Sequence, residues 1–62
     1  MTTQEKEMEE AMLLMLLEEE KENIAALRRL LIHGAITTEE HSTILARLQE
    51  RVRITKAQLA EL

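Results

Sequence analysis

Apolar side chains in the second half of the chain recur at an alternating spacing of four and three. The series runs through Leu45, Leu48, Val52, Leu59 and Leu62, with His41 and Thr55 holding polar places in it. The first half carries the same alternation at Leu13, Leu17, Ile24, Leu27 and Leu31, with Glu20 in the series. Alternating steps of four and three keep side chains on one stripe of an α-helix, whereas a half-buried strand needs a period of two. The pattern therefore predicts two amphipathic helices. Between them stands the single Gly of a chain without Pro, in the string Leu30-Leu31-Ile32-His33-Gly34-Ala35-Ile36-Thr37-Thr38-Glu39-Glu40. Gly34 fits the left-handed residue that stops a helix, with His33 near the negative end of the helix dipole. Thr37 fits an N-cap, and Glu40, three residues on, completes a capping box. One domain over residues 1–62 follows: helices over about residues 4–33 and 38–61, joined by a turn at about 34–37. The fold class is all-α, an antiparallel helical hairpin of coiled-coil type.

Folding back at Gly34 sets opposite one another positions whose numbers sum to about 72, the register of two antiparallel, interlocking stripes. Leu31 then meets His41, Leu27 meets Leu45, Ile24 meets Leu48, Glu20 meets Val52, Leu17 meets Thr55 and Leu13 meets Leu59. Both stripes fall into step with one loop length. Glu20 and Thr55 are the weak layers, where packing is expected to loosen or the Glu20 carboxylate to swing out to water. The same register is expected to set Glu18, Glu19 and Glu22 beside Arg47, Arg51 and Arg53.

A single seam does not use up the run Ala11-Met12-Leu13-Leu14-Met15-Leu16-Leu17. Met8, Met12, Leu14, Met15 and Leu16 cannot all face the second helix, and Ala26, Leu30, Ile44 and Ile54 also lie off the stripes. A helix apolar nearly all round must be buried on more than one side. Two hairpins packed face to face into a four-helix bundle would cover these positions, with Met8, Met12, Met15, Leu16 and Ile44 as the expected interface. Size points the same way: 62 residues bury little surface, and with no Cys for a disulfide, oligomerisation is the remaining staple.

Charge narrows the function. Residues 1–23 hold eight Glu and two Lys (−6), residues 24–62 hold six Lys or Arg and four Glu (+2), for a net −4. Glu5, Glu9, Glu10, Glu18, Glu19 and Glu22 form an acidic surface, suited to a basic partner and repelled by anionic lipid. Without Phe, Tyr or Trp there is no stacking platform for nucleic-acid bases, and neither half is a basic footprint, so nucleic acid is not an expected partner. The longest apolar run is too short for the roughly 20 residues of a membrane span, and its acidic flank is unlike a signal peptide. Cytoplasmic residence is the expectation. His33, Glu39, Glu40 and His41 lie near the turn, but helix-end electrostatics and the seam account for them and no metal-ligand spacing is present. Ser42 and the threonines have no converging base. Two short helices build no cleft, so no enzyme activity, cofactor, metal or small-molecule substrate is expected.

Residues Leu27, Leu31, Gly34, Ile36, Thr37, Glu39, Glu40, Arg47 and Leu48 resemble the SHOCT family of short helical hairpins, with His41 in place of an aromatic and Ile44 and Leu45 in place of lysines. That resemblance implies a module for self-association or partner docking. The overall plan and the opening Met1-Thr2 and Gln4-Glu5-Lys6 are similar to the Rop family of helical bundles, which implies a dimeric bundle and, as an alternative function, RNA binding. The expected function is a non-enzymatic protein-protein interaction module: a self-associating small regulator, inhibitor or assembly adaptor of a larger protein, of the kind found as accessory proteins of phages and mobile elements. A second alternative is an acidic nucleic-acid mimic that inhibits such a protein.

Overall fold

The computed structural model describes residues 2–62; Met1, part of the opening string above, lies outside the described residues. Helix α1 spans Thr3–Ile32 and helix α2 spans Thr38–Glu61. They fold back on one another as an all-α hairpin, a rod with extents of 48 × 15 × 9 Å.

Each helix begins on the same device. Thr37 has an extended backbone (φ −80°, ψ 164°) and its hydroxyl accepts from the Glu40 amide at 3.1 Å, while the Glu40 carboxylate accepts from the Thr37 amide at 2.9 Å. Two of the four amides that a helix start leaves without partners are thereby satisfied. Thr2 and Glu5 repeat the box at the start of α1, at 3.2 and 3.3 Å. The expectation started α1 near residue 4 and gave Thr2 no role. The observed start at Thr3 is within one residue of it, and Thr2 is the N-cap by the same Thr-x-x-Glu spacing.

The stop of α1 is a complete Schellman motif. His33 is the C-cap, the Gly34 amide donates to the Leu31 carbonyl at 3.1 Å and the Ala35 amide donates to the Leu30 carbonyl at 2.9 Å. Gly34 has φ +75°, the only positive φ among the described residues. A Cβ there would meet nothing within 4 Å, so the need for glycine comes from the backbone angle alone. α1 thus ends at Ile32, one residue before the expected end.

The buried residues are Leu13, Glu20 and Leu27 on α1 and Thr55 on α2, and the half-buried set includes Leu17, Ile24, Leu31, His41, Leu45, Leu48, Val52 and Leu59. This is the alternating stripe, with Ala26, Ile36 and Leu62 half-buried as well. Because α1 is longer, its first turns overhang the end of α2: Thr2 to Met12 are all exposed.

Gly34→Ala should lower stability by about 1 kcal/mol through the strained angle, and Thr37→Ala by about 1 kcal/mol through the lost cap. Thr2→Ala should have much less effect, because the turn it caps packs against nothing. Thermal melts followed by circular dichroism check all three; equal losses at Thr2 and Thr37 would contradict the overhang.

Candidate functional site

What two helices cannot bury defines the surface available for recognition. Met8, Met12 and Met15 are more than 60% exposed, and Leu14, Leu16, Leu30, Ile32, Ile44 and Ile54 are exposed too. The five residues expected at an interface are therefore all at the surface, but they do not form one patch. Leu16 flanks the seam and lines a groove with Glu20, Arg51, Ile54 and Thr55. Met12, one helical turn before Leu16, extends this flank, and Ile44 lies on the corresponding side of α2. Met15 instead lines a shallow depression with Leu14, Glu18, Glu19 and Glu22 on the outer side of α1, away from α2. Met8 stands on the overhang.

The floor of the groove holds the least ordinary residue of the chain. Glu20 is 8% exposed, in the middle of an otherwise apolar stripe. Its Oε1 lies 3.8 Å from Arg51 Nη1, and its Oε2 is buried with no hydrogen-bond partner. Of the two outcomes expected for this layer, the carboxylate does not swing out to water; it stays in the seam beside an open groove. The neighbouring Thr55 is equally buried but satisfied, since its hydroxyl donates to the Arg51 carbonyl at 2.9 Å within the helix. The groove beside these two residues is where packing against α2 is open. An orphaned carboxylate oxygen is costly, and a longer contact to a largely exposed arginine offsets it only in part.

The expected pairing of Glu18, Glu19 and Glu22 with Arg47, Arg51 and Arg53 is not formed: among the described residues none of these glutamates lies within 4.0 Å of an arginine nitrogen. Arg51 turns to Glu20, and Arg53 pairs within its own helix with Glu50, its Nε donating to Oε2 at 3.0 Å. Local geometry decides this. Residues three apart on a helix are already neighbours, whereas a pair across the seam must order two long side chains. The Arg53 hydrogen bond holds the Glu50 carboxyl below the usual carboxylate range, and the Glu50 carboxylate in turn raises Arg53. Arg51 is the residue the sequence reading missed as a partner of Glu20; the register itself, which sets residue 20 opposite 52, was the available signal.

Glu5, Glu9, Glu10, Glu18, Glu19 and Glu22 are all exposed. Among the described residues, no group of three or more potential metal ligands converges, and no helix is long and apolar enough to cross a membrane. No family model, curated protein or solved structure matches the chain.

Glu20→Leu should raise stability by about 1–2 kcal/mol by replacing an unsatisfied buried charge with an apolar side chain of similar length. Chemical denaturation of the two proteins measures it, and a loss of stability would show that the Arg51 contact more than offsets the burial.

Proposed function

We propose that this hairpin is a protein-protein interaction module that works as a self-associated unit, two copies closing a four-helix bundle. The observation that carries the reading is unburied surface that includes large apolar side chains, Met12, Met15, Leu16 and Ile44 among them. The chain exposes 5020 Å², whereas a compact protein of its mass, 7.2 kDa, would expose about 4,100 Å². The surplus of roughly 900 Å² is about what one partner contributes to a stable interface, near 800 Å². Its radius of gyration, 14.7 Å, exceeds the about 11 Å of a compact chain of this length for the same reason. Within this reading the chain does no covalent chemistry. It acts by occupying a surface, as a small regulator, inhibitor or assembly adaptor, in keeping with the resemblance to SHOCT hairpins and Rop-type bundles.

A second contact is favoured by the overhang. Glu5, Glu7, Glu9 and Glu10 lie on the opening turns of α1, before its first buried residue, Leu13, all exposed, with Lys6 the only base among them. A bundle closed through Met12, Leu16 and Ile44 leaves this acidic end free to meet a basic protein surface.

Sedimentation equilibrium at micromolar concentration should give a dimer. Met12→Glu should give a monomer or an unfolded chain, since a dimer would bury its new charge unpaired. The triple variant Glu5→Lys, Glu9→Lys, Glu10→Lys should leave fold and oligomeric state unchanged. A well-folded monomer for the parent chain would sink the reading. A Met12→Glu protein that remains dimeric would place the interface elsewhere.

A further inference from the structure

We propose that the second copy docks with its turn at the same end as the first, so that α1 of each hairpin lies over α2 of the other. The orientation rests on the self-association proposed above and adds to it which face is used and which way the copy points.

The seam has two open flanks. Leu16, Ile54 and Arg51 line the groove on one, and Arg28, His41 and Gln49 line a groove on the other. At about 100° per residue, Leu16 and Arg28 fall on opposite sides of the α1 stripe, so the two grooves lie on opposite broad faces. The first face continues the four-three alternation in Met12, Leu16, Glu19, Asn23, Ala26 and Leu30 of α1, and α2 contributes Ile44, Arg47, Arg51 and Ile54 to it. It is apolar towards both ends and ionic in the middle, with acid on α1 and base on α2. The second face also holds Leu14 and Ile32, but its charges are Lys21, Arg28, Arg53 and Lys56 against the single Glu18, and a copy of itself would set like charges together. The first face is the docking face.

Two-fold, face-to-face packing allows two arrangements. With the axis across the helices, α1 packs on α1 and α2 on α2. Centring the apolar ends then brings Arg47 against Arg51 of the second copy and Glu19 close to its own counterpart. Like charges meet in both helix pairs. With the axis along the helices, α1 packs on α2 at the same level, in the register that already aligns the hairpin. Leu30 and Ala26 then flank Ile44 of the second copy, Leu16 flanks its Ile54, and Glu19 meets its Arg51. Each Arg51 stands between Glu20 of its own chain and Glu19 of the other. That covers the groove lined by Leu16, Glu20, Arg51, Ile54 and Thr55, beside the buried and unpartnered Oε2 of Glu20. Only this arrangement joins apolar to apolar and acid to base along the whole face.

The chain has no cysteine, so a single introduced Cys can be spin-labelled cleanly. Ala35→Cys, in the turn, and Glu7→Cys, on the overhang, are both exposed and off the docking face. Neighbouring helix axes are about 8–10 Å apart, so electron-electron resonance should give intermolecular distances of about 30 Å or less at both sites. The opposite orientation gives about 40 Å or more at both, from the 1.5 Å rise per residue, and would overturn the proposal while leaving self-association standing. A parent chain that sediments as a monomer would remove self-association and the orientation together. In a second arm, Glu19→Arg and Arg51→Glu should each weaken dimerisation, and mixing them should restore it, with a heterodimer at least about tenfold tighter than either homodimer. No recovery on mixing, from two folded variants, would also overturn the orientation.

Discussion

Two helices touch along one line, and that constraint shapes everything else in this protein. A single line of contact buries roughly one side chain per turn on each helix. Leu13 and Leu27 are accordingly the only buried hydrophobic residues among those described, and none of the large side chains is fully enclosed. The seam gives the pair its direction and register, but it leaves methionines, leucines and isoleucines on the flanks in water. In the proposed bundle, a third and fourth helix from a second copy would supply what the line cannot.

The turn and the seam are coupled. The Schellman stop and the Thr37–Glu40 box leave a short connection of set geometry, with one residue at positive φ. A connection one residue longer or shorter would rotate α2 by about 100° relative to α1 and pull the two stripes apart. Capping hydrogen bonds worth about 1 kcal/mol each thus decide which apolar residues meet. The exposed start of α1 has a box of the same chemistry but no seam contact to align.

The repeating features were legible in the sequence because they are periodic or local. The stripe of Leu13, Leu27 and their neighbours needs only the helical repeat, and Gly34, Thr37 and Glu40 need only the few residues around them. The Thr2–Glu5 box was equally legible by the Thr-x-x-Glu spacing, though the apolar stripe, which begins later, drew the boundary inward. What sequence reasoning misplaced were the long charged side chains. Arg51 turns to Glu20, which keeps its expected place in the seam, and Arg53 pairs with Glu50 on its own helix. Each of these is a choice among rotamers separated by less than about 1 kcal/mol, set by neighbours in three dimensions rather than by spacing. The division of the surplus apolar residues was likewise hidden. Met12 and Leu16 share a flank of the seam with Ile44 and Ile54, while Met15 faces outward with Glu18 and Glu22.

If the hairpin owes its stability to a second copy, folding and association are one equilibrium, and the melting temperature must depend on protein concentration. Thermal unfolding followed by circular dichroism across about a hundredfold range of concentration tests this without any substitution. The account predicts a midpoint that rises steadily with concentration, in a single transition. A sharp transition whose midpoint stays constant over that range would contradict it, because the line of contact between two helices would then be sufficient by itself.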